Sequence, residues 1–309
     1  MNRAASVVAN LIWAGLIWGA SALAADAPSR DDLMKPYPNP AWDKFAVAGN
    51  DTMEIAPDLY SFRGGGTRSI FIVTKDGVIA TDPGDPQMAK AYREAIRKVT
   101  PKPVKYVVYS HEHWDHVRGG QVFKDEGAKF ISHANCVTHF KEIPDPDVVM
   151  PDITFKGNYT VKLGQHKLEL IYLGRNHGDC MVVMRPDIEN GKYLFIVDLL
   201  TPGGAPMDFM PDYFPVQWIK SLKQIEAMDF TVVLPGHGVP LASKSAVTER
   251  REYLEALIAA VKADIDAGIP RSQIPERVKL PKFAYLRGNT EQNLRDNARR
   301  ITAFYGIGW

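Results

Sequence analysis

Two cysteines, Cys136 and Cys180, are all that 309 residues contain, which excludes a small disulfide-stapled scaffold and leaves stability to a packed core. They can pair in an oxidising compartment, but their spacing is silent on distance. The expectation is two buried or half-buried thiols, with Cys180 on a strand. Excess charge of either sign is also missing, with 37 Lys and Arg against 36 Asp and Glu. That balance speaks against a nucleic-acid partner, which needs a basic face to displace phosphate counterions, although a local patch would not show in the total. There is no low-complexity tract and no short repeat, which excludes a solenoid. Hydrophobic residues make up 45% of the chain, enough to fill one large domain or two small ones.

An apolar run is present at residues 4–22, after Met1-Asn2-Arg3 and leading into Ala22-Leu23-Ala24. A basic start, an apolar stretch and a small-residue site read as a secretory signal peptide over residues 1–24. The competing reading is an uncleaved anchor, because the run nearly reaches bilayer length; the Ala-x-Ala site and the interrupting Asn10 favour cleavage. Cleavage takes Arg3 from the 37 basic residues and so leaves 36 against 36 acidic ones. The expectation is a periplasmic or secreted protein, with no stable membrane association and no nucleic-acid partner, that meets a small-molecule substrate. Oligomeric state is not legible.

Residues 25–51 are polar and proline-rich (Pro28, Pro36, Pro38, Pro40) and read as an extended lead-in to a domain over 52–309. Short strands are predicted at 55–62, 69–74 and 78–81, with Lys75-Asp76-Gly77 as a hairpin turn, then a helix at 88–99 and a strand at 104–109. Further strands are predicted at 159–163, 168–173, 181–184, 193–197 and 231–234. Helical periodicity marks 216–228, 243–267 and 290–305, with Gly268 and Pro270 ending the second and Thr290 capping the third. Strands interleaved with helices in two similar halves predict an α/β fold of stacked sheets with helices outside, closed by a helical segment over 243–309.

Three of the eight histidines fall in Ser110-His111-Glu112-His113-Trp114-Asp115-His116, directly after the apolar strand. Imidazole nitrogens and carboxylate oxygens suit zinc and its first-row neighbours, and alternate side chains of a tight loop point to one side. A solvated polar loop is the bland alternative, and the concentration of a scarce residue type argues against it. His177 (in Gly174-Arg175-Asn176-His177-Gly178-Asp179), Asp198 (after Leu194-Phe195-Ile196-Val197) and His237 (in Pro235-Gly236-His237-Gly238) each sit where an apolar strand meets a turn. Singly, each reads as an ordinary turn residue. Together with the first cluster they read as a metal centre. His133, His139 and His166 fit no motif and read as ordinary histidines.

The order H-x-H-x-D-H, G-x-x-H-G-D, a strand-ending aspartate and P-G-H-G, over about 52–241, resembles the metallo-β-lactamase-fold superfamily of metallohydrolases. Asp82 in Ala80-Thr81-Asp82-Pro83-Gly84 is similar to the family's early strand-end aspartate. The resemblance implies a four-layer αββα sandwich. It also implies that His111, His113 and His177 hold one metal, that Asp115, His116 and His237 hold a second, and that Asp198 bridges them. Two Zn²⁺ per chain are the expected cofactors, with iron or manganese as alternatives. Three neutral imidazoles leave a metal cationic enough to supply hydroxide near neutral pH, while its neighbour receives the charge of the leaving atom. Asp115 is expected to orient the nucleophile, and Asp82 and Asp179 to accept hydrogen bonds from ligand imidazoles. Glu112 and Trp114 are expected to face away from the metals, Trp114 packing or lining the cleft. The loop 201–214, rich in glycine, proline, methionine and aromatics, is expected over the cleft, with Tyr213 as candidate proton donor or oxyanion stabiliser.

An aspartate at 198, where many β-lactamases use a cysteine ligand or lack a bridge, looks more like the Asp-bridged binuclear branch of glyoxalase II-like thioesterases and lactonases. The expectation is therefore an exported zinc hydrolase of a neutral or weakly charged ester, lactone, thioester or amide. β-Lactam hydrolysis is a less favoured alternative, and glutathione thioesters are mainly intracellular. Nothing basic in the sequence frames the site, which disfavours a nuclease. An iron-dependent persulfide dioxygenase would share the first triad but not the complete second site. A non-catalytic accessory protein of a periplasmic oxidation system is the alternative from a different class.

Overall fold

The computed structural model describes residues 49–307; the expected signal peptide and most of the lead-in lie outside the described residues. Strands β1 (Asn50–Ala56), β2 (Leu59–Gly64), β3 (Thr67–Thr74) and β4 (Gly77–Thr81) form an antiparallel meander. Strands β5 (Val104–Val108), β6 (Lys129–His133) and β7 (Ile153–Phe155) extend it in parallel to a seven-stranded sheet in sequence order. The second sheet has six strands: β8 (Tyr159–Leu163), β9 (His166–Tyr172), β10 (Val182–Pro186), β11 (Tyr193–Ile196), β12 (Val232–Pro235) and β13 (Ala242–Ser243). Its neighbours pair antiparallel except β11 with β12.

Helix α1 (Pro86–Val99) starts at Asp85, whose carboxylate accepts from the Gln87 and Met88 amides, with Pro86 at the first helical position. It covers the first sheet together with α2 (Ala134–Glu142). Helix α3 (Pro215–Glu226) packs on α4 (Ser245–Asp266), and α4 packs on α5 (Glu291–Ile307), on the far side of the second sheet. The α/β sandwich αββα with C-terminal helices is the architecture that results. Alternation along the strands builds its two cores: Ile70, Ile72, Ile79 and Val108 enter the space between the sheets, whereas Phe71, Val78, Ala80 and Val107 face the helices with Tyr92 and Phe123. Fully burying such side chains contributes about 1.5–3 kcal/mol each. Among the described residues no helix is long and apolar enough to cross a membrane.

Three expectations need correction. The strand predicted at 55–62 is two strands, because Pro57 brings no amide donor and Asp58 turns the chain at φ 70°. The stretch 129–155, unassigned from sequence, supplies β6, α2 and β7, whose runs are too short for periodicity to reveal. Cys136 and Cys180 are not thiols: they form a disulfide, both fully buried, with Cα atoms 5.3 Å apart. Cys180 lies in the turn before β10 rather than in a strand, and the bond ties that turn to the first turn of α2.

Candidate metal centre

Every candidate ligand stands just beyond the C-terminal end of a strand. Strand β5 leads to His111, His113, Asp115 and His116, β9 to His177, β11 to Asp198 and β12 to His237. Buried strands fix the directions in which these short connections leave the sheets, so side chains distant in sequence converge at one rim.

They converge as two groups. His111, His113, His177 and Asp198 present ligand atoms within 4.8 Å of one another, and so do Asp115, His116 and His237. Asp198 lies between them: its Oδ2 is 3.2 Å from His111 Nε2, 3.3 Å from His177 Nε2 and 4.0 Å from His113 Nδ1, and its Oδ1 is 3.0 Å from His237 Nε2. His116 Nε2 is 3.2 Å from Asp115 Oδ2 and 3.2 Å from His237 Nε2. Ligand atoms about 2.1 Å from a tetrahedral ion stand roughly 3.4 Å apart, so these spacings fit a cation in each group. Two buried atoms agree, since His111 Nε2 and Asp198 Oδ1 make no well-directed hydrogen bond.

Electrostatics points the same way. Burial opposes ionisation of Asp198, but His237, His116 and the other imidazoles hold its carboxyl well below the usual range. Burial pushes His111 well below the ordinary histidine value, whereas for His177 the carboxylates of Asp198 and Asp212 outweigh burial and raise it to about 9. Ionised carboxylates thus stand among crowded imidazoles, a charge pattern that a cation completes.

The rear nitrogens of the rings have their own partners. Asp82, at φ 32° after β4 and fully buried, accepts the Ser110 amide on Oδ1 (2.7 Å) and places Oδ2 3.5 Å from His116 Nδ1. His237 Nδ1 is 2.9 Å from the Gly66 carbonyl. Asp212, which sequence reasoning missed, sets Oδ2 2.8 Å from His113 Nε2 and 3.1 Å from His177 Nδ1. An acidic residue beside Tyr213 was its one signal.

Asp179 is not at the centre. Gly178 turns the backbone at φ 61°, and Asp179 Oδ1 meets His139 Nε2 at 2.8 Å on the α2 side; Asp212 occupies the role expected of Asp179. His139 therefore has a defined partner. Glu112 faces away from the ligand atoms, as expected, toward His139 and the disulfide. Trp114 is 49% exposed under the Arg118 guanidinium and does not line the cleft. Tyr213 stacks on Trp218, meets the His177 ring at a tilt and donates its hydroxyl hydrogen to the Asp198 carbonyl (2.7 Å), so that proton is engaged with backbone.

The two groups open on a cleft of about 1720 Å³, lined also by Gly64, Gly65, Met88, Met207 and residues of the C-terminal segment. This sandwich, with candidate ligands at the strand ends, defines an α/β protein whose His and Asp groups could hold metal. Residues 62–237 match the Metallo-beta-lactamase superfamily, and the chain belongs to it.

The alpha subunit of 2,4-dinitroanisole O-demethylase from Nocardioides sp. (strain JS1661) is 24% identical over 259 residues, covering 83% of this chain and 76% of that one. A linear primary-alkylsulfatase from Pseudomonas sp. (strain ATCC 19151) is 24% identical over 302 residues, 77% of this chain but 55% of the sulfatase, so the chain spans about half of that relative. Among solved structures, a metallo-beta-lactamase from Pontibacter korlensis superposes with a TM-score of 0.60 at 20% identity, covering 67% of this chain and 99% of that one, a likeness of fold.

Proposed function

We propose that the chain is an exported, binuclear zinc hydrolase that cleaves an ester, lactone, thioester or amide bond of a small molecule. The observation that carries this reading is the pair of ligand groups sharing Asp198 at the wall of a large cleft. His111 Nε2, His113 Nδ1 and His177 Nε2 would hold one ion and Asp115, His116 and His237 the other, with Asp198 facing both. When bound, such ions acidify water and offset charge on a leaving atom. Asp115, 49% exposed on the cleft side, is the carboxylate placed to orient attacking water. Asp212 and Asp82 hold imidazole rings in orientation, and Tyr213 holds the backbone of Asp198.

The relatives are named for O-demethylation, alkyl sulfate and β-lactam chemistry, so choice of bond rests on the cleft walls rather than on the ligands. Export is supported by the N-terminal run and by a disulfide that an oxidising compartment preserves. The test is metal analysis with a panel of lactones, thioesters, carboxylic, sulfate and phosphate esters and β-lactams. Purified protein is expected to carry about two zinc ions per chain, to lose hydrolysis on chelation and to regain it with zinc. Full activity without metal would overturn the proposal.

A further inference from the structure

The part of the cleft wall that lies beyond the family-matched segment ending at 237 comes from the C-terminal segment, and it brings arginine where the sequence showed nothing basic. Arg250, on α4, is 5% exposed and lines the cleft. Its Nη2 donates to the carbonyls of Gly204 (2.8 Å) and Thr201 (3.4 Å), its Nη1 is buried with no acceptor, and it enters no ion pair among the described residues. The acids of the facing loop do not neutralise it. Asp208 accepts from Asn293 Nδ2 and Asp212 sits against His113 and His177. Glu249 acts on this guanidinium electrostatically but is in no ion-pair contact with it, so its withdrawal from water is incompletely compensated, and an anion completing its fork of donors would offset that cost.

The placement relative to the candidate metal centre is defined by a run of ring contacts. The Arg250 guanidinium stands 5.5 Å from the Trp218 ring, Trp218 stacks on Tyr213 at 4.1 Å, and Tyr213 meets His177 at 4.3 Å. Arg287 lines the same cleft and donates to the Pro202 carbonyl. Resting on the hydrolase reading, we infer that Arg250 is a specificity-determining residue that binds an anionic group of the substrate, such as a carboxylate, away from the bond that breaks. The substrate class is then an anionic ester, lactone, thioester or amide, rather than the neutral one expected from sequence. Met207 and Pro206 supply apolar wall for the body of such a molecule.

The experiment compares two 4-nitrophenyl esters on the zinc-loaded full chain, the glutarate half-ester with a free distal carboxylate and its distal carboxamide counterpart. Calorimetric binding of glutarate and of butyrate accompanies it. Arg250→Gln and Arg250→Lys are measured beside the wild type. The carboxylate ester is expected to be preferred by about ten- to a hundredfold in kcat/KM, mostly through KM. Arg250→Gln should abolish the preference, and Arg250→Lys should retain part of it. Glutarate should bind at least about tenfold more tightly than butyrate in the wild type and equally in Arg250→Gln. Equal use of both esters by the wild type would overturn the inference. So would a Gln variant that slows both esters alike and keeps their ratio, which marks a clamp on the 201–206 loop only. If Arg250→Gln does not fold, the wild-type pair and the Lys variant decide. If neither these esters nor any member of the substrate panel is hydrolysed by the zinc-loaded chain, yet glutarate binding depends on Arg250, the hydrolase reading fails while the anion site stands.

Discussion

The two halves of the candidate metal centre are supported from different parts of the molecule. His116 and His237 lean on the first sheet, through Asp82 after β4 and the Gly66 carbonyl between β2 and β3. His113 and His177 lean on Asp212, in a loop held down by the C-terminal segment: Arg250 on Gly204, Arg287 on Pro202, Asn293 on Pro206 and Arg300 on Tyr213. Sheet strands open with the whole domain, whereas loop contacts open locally. One half of the centre is therefore tied to the first sheet, and the other to a loop and the C-terminal helices that hold it.

Asp198 belongs to both halves, so Asp198→Ala carries the largest expected effect: loss of both ions and of turnover, read by metal analysis and the substrate panel. Asp82→Ala and Asp212→Ala should then separate the halves. Each is expected to weaken metal binding about 10–100-fold, measured by competition with a chelator. Asp82→Ala should also cost about 1–3 kcal/mol in urea unfolding, because it leaves the buried Ser110 amide without its acceptor. Asp212→Ala should leave unfolding nearly unchanged, and an equal loss of stability in both variants would erase the distinction.

The disulfide pins the turn that follows His177, so it belongs to the loop-supported half. Replacing Cys136 and Cys180 together by Ser should lower stability by about 2–4 kcal/mol. It should also weaken the ion at His177 more than the ion at His116, as seen in stepwise metal loss. A smaller effect is set by pH at His139. Burial lowers its pKa, but Asp179 and Glu112 outweigh burial and raise it above the ordinary value. The stabilisation is present below about pH 6.5 and is lost as pH rises through the folded value. Asp179→Asn should therefore be less stable than wild type at pH 6, by less than about 1 kcal/mol for so exposed a pair, and the gap should close by pH 9.

Much of the centre was legible because scarce histidines stand at strand ends, and burial of β11 and β12 on both faces makes those strands continuous apolar runs. Asp212 was not legible, since its loop has no period and an aspartate among prolines and glycines reads as a turn residue. The pairing of Cys136 with Cys180 was illegible for another reason: disulfide geometry depends on where two Cα atoms lie in space, and α2 itself went unread. Asp179 misled because it adjoins His177 in sequence, while a glycine turn sends its carboxylate to the other side.

The sequence by itself determined the kinds of ligand and their order, because strand periodicity and donor chemistry are local properties. Tertiary structure decided which carboxylate backs which imidazole, that the cysteines are bonded, and that Arg250 reaches a cleft whose other wall is drawn from residues as far back in the chain as Gly49. Those choices depend on how sheets and helices stack, and a guanidinium that reads as surface charge along the chain becomes a buried cation only once α4 has docked.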